Sequence, residues 1–365
     1  MDHERTLTTP TRAREGVPAV VAAGDRRASK RIYGESKIYL EVGGRPLVAH
    51  VVAALQRVPE VTEVWVVGDA ERLRAVFSRD EIQCELTKPL QIVPQFRNLY
   101  ENLWQTYRRL LPDAGPEGRD PEPGDLDLQV LYASGDLPFV TPQEISQFIR
   151  RGRETDCSFA FGIVTEEAIA PFSRKVSRKD GIRMAYFNLR EARFRQSNLH
   201  LVRPGRIGNR HYIEEMYENR YQREFGSIAA LAWRLLTSQQ GGLATLFYYS
   251  LMHLAGISDR MGLGRLADRI RSWIPIARIE RGVSSLLQAS FRFVVTDVGG
   301  AAVDIDNEHD YDVARRRYGE WVKAQTERAE QMYGALPPTG ETESGKGLAS
   351  TGTDGTGTHE ERSAG

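Results

Sequence analysis

A single carboxylate, a carboxylate pair and one basic loop have residue types and spacings suited to chemistry on a phosphate. The first carboxylate is Asp136, in the stretch from Leu131 to Pro142, where an apolar run ends at Gly135-Asp136 and the chain restarts at a proline-initiated helix. An open α/β sheet collects its ligands at the carboxyl ends of its strands, so a carboxylate delivered there is placed to hold a metal ion beside a phosphate. As a turn alone, the same residues fit a strand-to-helix connection in which Asp136 caps and Pro142 lies near the first helical position. The second group is Asp304 and Asp306, within Ala302 to Tyr311. Alternation puts both on one face of an extended segment, where their repulsion would be relieved by a divalent cation; strand-end acids of this kind also serve as caps or solvated groups. Asn307 then reads as a helix N-cap, with Asp310 three residues on.

The basic loop follows a short buried strand, Pro18 to Ala23. Gly24 lets the backbone approach a ligand, and Arg26, Arg27, Lys30, Arg31 and Lys37 supply the positive charge a triphosphate needs, although such charge runs are also common in plain solvated loops. Further on, Asn98 reads either as a helix N-cap or as a group at a strand end that reads a base or ribose. His200 shares a face with Asn198 on a predicted strand, where a lone histidine is more often structural than catalytic.

The elements that must position these groups alternate in the first half of the chain. Strand-like runs at Val17 to Ala23, Thr62 to Val67, Leu90 to Val93, Leu128 to Ala133 and Ser158 to Val164 are separated by helical patterns at Pro46 to Leu55, Ala70 to Phe77, Leu99 to Leu111 and Pro142 to Arg151. Such alternation predicts βαβ crossovers and a mainly parallel sheet. Arg183 to Phe187 and Asn198 to Val202 read as further strands. A helical block follows from Tyr212 to Ser290, in which Leu263, Leu266, Ile270 and Ile274 fall on one face with basic residues opposite. Two readings of the block stand open: a cap packed on the domain, or a membrane-surface element.

The chain has 365 residues, 41% of them apolar, which allows one large domain with an insertion. Its formal net charge is zero, so no global field argues for an anionic membrane or for nucleic acid, and no nucleic-acid partner is expected. Cys84 and Cys157, in strand-like surroundings, show neither CxxC nor His spacing, so no disulfide framework or zinc site is expected. Residues 1–16 are polar with no apolar signal core, and 337–365 are rich in Gly, Thr, Ser and Glu; both are expected to be disordered. No run is long and apolar enough for a transmembrane helix, and the expected location is the cytoplasm.

Together, Ala22-Ala23-Gly24 with its basic loop, Ser36-Lys37, Val42-Gly43-Gly44-Arg45-Pro46-Leu47, Ser134-Gly135-Asp136-Leu137-Pro138 and Asp304-Ile305-Asp306 followed by Asp310-Tyr311 occur in the order found in sugar-nucleotide and molybdenum-cofactor nucleotidyltransferases. The chain resembles the MobA-like NTP transferase group of the glycosyltransferase-A-like fold from Pro18 to Ile163, at Ser197 to Leu201, and from Phe293 to Arg317. That resemblance implies an α/β, Rossmann-like three-layer sandwich of the nucleotide-diphospho-sugar transferase type over residues 17–330, with a helical insertion at about 212–290. It implies a nucleotide held by Ala22, Ala23, Gly24, Arg26, Arg27, Arg31, Lys37, Asn98 and Gly135, with Lys37 and Asp136 catalytic. Mg²⁺ would be held by Asp136 with Asp304, Asp306 or both, and Asn198 would bind the acceptor. The chain departs from the group in carrying Asp25 where a second glycine is usual, Ser36 where Pro or Asp precedes the lysine, and a longer loop.

The function implied is transfer of an NMP from an NTP to a phosphorylated or otherwise nucleophilic small molecule, with release of pyrophosphate. Alternatives are a glycosyltransferase of the same broad fold using a sugar nucleotide, and a non-catalytic, membrane-associated nucleotide-binding protein. The late position of Asp304 and Asp306 favours nucleotidyl transfer over the first, which usually carries its Asp-x-Asp on a mid-domain strand.

Overall fold

Runs of Val, Ala, Ile and Leu with almost no polar interruption form strands buried on both faces, and they build one central sheet. The computed structural model describes residues 16–25, 31–173, 180–210, 212–213, 250–251, 254–259 and 261–336. The expected disorder at the two ends lies outside the described residues apart from Gly16, as do Arg26, Arg27 and Lys30 and much of the helical block.

In chain order the strands are β1 (Val17–Ala23), β2 (Arg31–Ile32), β3 (Glu35–Ser36), β4 (Glu41–Val42), β5 (Arg45–Pro46), β6 (Val61–Gly68), β7 (Leu90–Pro94), β8 (Val130–Ser134), β9 (Phe159–Thr165), β10 (Phe187–Asn188), β11 (Arg193–Val202) and β12 (Phe291–Thr296). The α-helices labelled here are α1 (Leu47–Gln56), α2 (Ala70–Phe77), α3 (Asp80–Gln83), α4 (Leu99–Leu110), α5 (Pro142–Glu154), α6 (Glu166–Ile169), α7 (Gly264–Arg271), α8 (Ile276–Leu287) and α9 (Glu308–Tyr333). The main sheet runs β12-β9-β11-β8-β1-β6-β7, with β10 paired to β11. All its neighbours pair in parallel except β10 and β11, and β11 runs antiparallel between β8 and β9.

Alternate residues of one strand feed opposite cores, as a two-residue period requires. Ala19, Val21 and Ala23 of β1 pack with Val48, Val52 and Leu55 of α1 and with Ile145 and Phe148 of α5, whereas Val20 joins Tyr107 and Leu110 of α4 and Leu287 of α8. The result is a three-layer α/β sandwich with a mainly parallel sheet, the fold class expected. A third cluster gathers Phe139, Phe172 and Trp321 of α9 at one end, and a fourth lays Leu251, Ala255, Ile270 and Ile274 over Ile163, Leu189 and Phe194.

Several local expectations change. Arg183 to Tyr186 do not pair, and only Phe187 and Asn188 join β11; Tyr186 lies under the Arg193 guanidinium instead. Neither cysteine is on a strand: Cys84 is exposed at the end of α3, and Cys157 is buried between α5 and β9. The end of the basic loop is a hairpin, β2 with β3, turning through Tyr33 and Gly34 at positive φ. The stripe on α7 also divides. Ile270 and Ile274 are buried, but Leu263 and Leu266 stay about half exposed because the sheet accepts only the Ala267–Ile270 side of the helix.

Gly43 and Gly44 turn β4 into β5 with φ of 62° and 77°, the left-handed pair that a two-residue hairpin demands. A Cβ on Gly43 would lie 2.1 Å from the Tyr318 ring of α9, while one on Gly44 would meet nothing within 4 Å. Gly44→Ala should therefore cost about 1 kcal/mol of strain, and Gly43→Ala roughly 1–3 kcal/mol more from overpacking. Urea unfolding of the two variants checks this; equal losses would show that α9 yields freely at Tyr318.

Candidate active site

The parallel strands deliver their carboxyl ends to one edge, and the chain turns there without side-chain bulk. After β8, the Gly135 N–H donates to the Ala22 carbonyl at 3.0 Å, and a Cβ on Gly135 would stand 3.0 Å from that same oxygen. Glycine thus lets the exit of β8 press against the exit of β1, which brings Asp136 beside the start of the basic loop. The helix after Asp136 is capped by Thr141, whose hydroxyl accepts from the Glu144 N–H at 3.2 Å, with Pro142 at its first turn. Capping is therefore not the work of Asp136, which is 2% exposed and receives a hydrogen bond from Ser134 Oγ.

Lys37 opens a short 3₁₀ turn (Lys37–Tyr39) directly after β3 and sends its ammonium between two carboxylates. It pairs with Asp136 Oδ2 and with Asp306 Oδ1, the latter at 2.9 Å. Burial works against its charge, but Asp136 and then Asp306 outweigh burial and hold its pKa above the usual lysine value. Asp136, Asp304 and Asp306 each bring a carboxylate oxygen within 4.8 Å of the others. Asp304 and Asp306 reach this point from an irregular segment after the 3₁₀ turn Gly300–Ala302, with Val303 and Ile305 buried on the other side. The alternation expected of that segment is present without a strand ladder. Asn307 caps α9 by accepting from the Asp310 N–H at 3.0 Å.

Arg195 balances the remaining charge, and sequence reasoning missed it. Because β11 runs opposite to β8 and β9, its first residues lie at their carboxyl ends, Arg195 facing Val164. Its guanidinium donates to Asp304 Oδ1 at 2.6 Å and to the Ala302 carbonyl at 2.7 Å. Burial, with Asp136 next, still pushes the Asp304 carboxyl up to about 6. Asn198 sits at a break in the β11 ladder with φ of 53°, and its amide donates to the Ala301 carbonyl at 3.4 Å. His200 packs between Phe159 and Phe161, and burial still alternates from Ser197 to Leu201, with Asn198 and His200 both part-buried. Burial lowers the His200 pKa to about 4, as befits a structural imidazole.

On the other flank, Asp25 is held by Gln95, whose Oε1 accepts the Asp25 N–H at 3.0 Å and whose Nε2 donates to Asp25 Oδ1 at 2.7 Å. Arg72 pairs with Asp25 at 3.6 Å and stacks over Tyr39. Gln95, like Arg72, was not singled out as a site residue; the signal for Gln95 was its place just after β7, at the carboxyl edge. Asn98 accepts from the Glu101 N–H at 2.8 Å and caps α4. Arg31 is exposed and donates to Gly34 O in its own hairpin at 3.1 Å. Ala22, Ala23 and Gly24 form the end of β1 and the residue beyond, while Arg26 and Arg27 lie outside the described residues.

Sequence comparison matches residues 19–198 to the MobA-like NTP transferase domain. Residues 19–198 form a domain of that family. The NTP transferase domain takes in Lys37, Asp136 and Asn198 but ends before Asp304 and Asp306. A curated relative, 2-C-methyl-D-erythritol 4-phosphate cytidylyltransferase of Chlorobium luteolum, is 24% identical over 139 residues, 38% of this chain and 55% of that protein, so the match spans about half of the relative's length. A solved structure described as a hypothetical transferase from Thermus thermophilus is 22% identical and covers 81% of this chain and 99% of its own at a TM-score of 0.50, which extends the shared fold well past residue 198. The 4-diphosphocytidyl-2C-methyl-D-erythritol synthase of Anaerococcus prevotii is 12% identical over 84% of this chain and 99% of its own, with a TM-score of 0.41.

Glu144 ties the NTP transferase domain to the late carboxylates. Fully buried on α5, it accepts the Ala301 N–H at 3.0 Å, so it fixes the turn that precedes Asp304. Burial pushes its carboxyl up to about 8, against the opposing pull of hydrogen bonds from Ala301, Thr296 and Gly300. Its folded-state value lies above its unfolded one, so the stabilisation is complete below about 4.5 and is lost as pH rises through about 8. Glu144→Gln keeps the shape and cannot ionise. It should flatten the decline in stability between those values, as followed by urea unfolding at stepped pH; an unchanged slope would place the titration elsewhere.

Proposed function

We propose that the protein is a Mg²⁺-dependent nucleotidyltransferase that moves an NMP from an NTP to a phosphorylated small molecule and releases pyrophosphate. The observation that carries this reading is the meeting of Asp136, Asp304 and Asp306 around the Lys37 ammonium, at the strand edge beside Gly24, in a chain with an NTP transferase domain. Three carboxylates form a hard oxygen donor set of the kind Mg²⁺ takes, and Lys37 already stands in for a cation between two of them. A bound Mg²⁺ would supply Lewis acidity toward the phosphates and charge for the departing pyrophosphate.

The chain's own residues do the rest. Gly24 and the end of β1 leave the backbone open to the triphosphate, with Arg31 and the arginines of the basic loop adding charge. Asp136, Asp304 and Asp306 would hold the divalent cation, and Lys37 supplies its ammonium to the phosphates. Arg195 holds Asp304 in place, and Asn198 lies where the acceptor enters. An acceptor oxygen attacks the α-phosphorus in line, the bond to the bridging oxygen breaks, and pyrophosphate leaves with that electron pair. Positioning and fixed charge supply the rate, so no histidine or cysteine nucleophile is needed. The name of the curated relative supports CTP as the first NTP to test and a phosphate monoester as acceptor. A soluble NTP pool places the reaction in the cytoplasm.

Pyrophosphate release measured across the four common NTPs and a panel of sugar and polyol phosphates tests the proposal. Turnover that requires an NTP, an acceptor and Mg²⁺ is expected, and hydrolysis or transfer from sugar nucleotides alone would favour a glycosyltransferase. Asp136→Asn should fold normally and lose about a hundredfold or more of the turnover. Near-parent activity in that variant would remove Asp136 from the mechanism. Lys37→Ala should weaken NTP binding and turnover, with Lys37→Arg restoring only part because its fork is larger and planar. NTP titration of both variants checks this, and parent-like values for Lys37→Ala would limit the lysine to a structural ion pair.

A further inference from the structure

Exposed large apolar side chains are concentrated in one part of this molecule. Of eight among the described residues, six fall between Leu254 and Trp273: Leu254, Ile257, Met261, Leu263, Leu266 and Trp273, each 45–69% exposed. The same helical stretch buries Leu251, Ala255, Ile270 and Ile274 against the sheet, so its inner side is a cap and the exposed set belongs to another side. Ala267 and Ile270 mark the inward side of α7. Leu266 lies on the neighbouring flank of α7, Arg269 and Arg265 follow on the flank beyond it, and Trp273 is exposed in the turn just after the helix.

The same region is basic. Residues 264–281 hold five arginines against Asp268 and Glu280, in a protein whose formal net charge is zero. Asp268 is engaged by Arg271, which also pairs with Asp259 at 3.8 Å. Arg265 and Arg269 are exposed and make no ion pair among the described residues. An apolar flank with a tryptophan, bordered by unpaired arginines on an outward helix side, matches the layered polarity of a bilayer surface: acyl boundary, headgroup, anionic phosphate.

We propose that α7 and the turns on either side of it form a peripheral membrane site that seats Leu263, Leu266 and Trp273 in the headgroup layer of an anionic bilayer, with Arg265 and Arg269 on lipid phosphates. No helix among the described residues is long and apolar enough to cross a membrane, and surface seating requires none. The inference stands apart from the catalytic reading, since none of these residues belongs to the carboxylate site.

Flotation of the full chain with phosphatidylcholine vesicles, with and without phosphatidylglycerol, tests the proposal. The protein should float with the anionic vesicles and stay behind with the neutral ones. The double variant Leu266→Ser/Trp273→Ser should lose flotation while melting like the parent. Arg265→Gln with Arg269→Gln should weaken partition about thirty-fold, from roughly 1 kcal/mol per arginine near an anionic surface. Trp273 should also give a blue-shifted, lipid-quenchable emission that Trp273→Phe removes while flotation persists. Absence of flotation, or flotation indifferent to both double variants, would overturn the proposal. So would a parent dimer that Leu266→Ser/Trp273→Ser converts to monomer with no vesicle binding in either form, since the patch would then be an interface between copies.

Discussion

Negative charge gathered in one place, and the cations that make it tolerable, is the constraint on which the rest of the site depends. Two unit charges about 4.8 Å apart repel by roughly 3–4 kcal/mol at an effective dielectric near 20. That exceeds what a typical exposed ion pair returns. Asp136 and Asp304 are both shielded from water, so their coexistence rests on Lys37 from one side and Arg195 from the other. Each cation is in turn placed by a backbone device. Lys37 follows a two-strand hairpin, and Arg195 is carried to the active edge because a single main-path strand runs against its neighbours. The late turn is then held from three directions: Glu144 on the Ala301 N–H, Asn198 on the Ala301 carbonyl and Arg195 on the Ala302 carbonyl.

How much of this the amino-acid sequence announces depends on whether the decisive interaction is local. The turn after β8 is legible because a buried run, a glycine, an acid and a proline leave few other arrangements, and the Asn98 and Asn307 caps declare themselves through residues three positions away. The three-layer fold is legible in the alternation of strand and helix. Arg195 is not, because its value comes from a strand reversal and a partner 109 residues away. Glu144 resembles an ordinary first-turn acid, and only the fold reveals that it is buried against the turn before Asp304. The ladder break around Asn198, where β11 gains two residues on β9 between Gln196 and His200, leaves no mark in the alternation of the sequence. On α7 the periodicity identifies an apolar stripe but not which part of it the sheet has room to cover.

Asp25 shows a related economy at the other rim. A carboxylate where a glycine is usual would crowd an anionic ligand, yet here it is drawn aside by the Gln95 amide and Arg72, which stacks on Tyr39. The altered loop thus carries its own compensation, on residues that are far away in the chain and adjacent in space.

The pairing of Lys37 with Asp306 spans 269 positions. During synthesis the whole NTP transferase domain emerges before either late aspartate exists, so at that stage the Lys37–Asp136 pair stands without Asp306. The carboxylate cluster closes when β12 and the following turn arrive, long after the parallel core has a chance to condense. High contact order of this kind makes the cluster among the last features to form, and it withholds full assembly of the site from any chain that ends early.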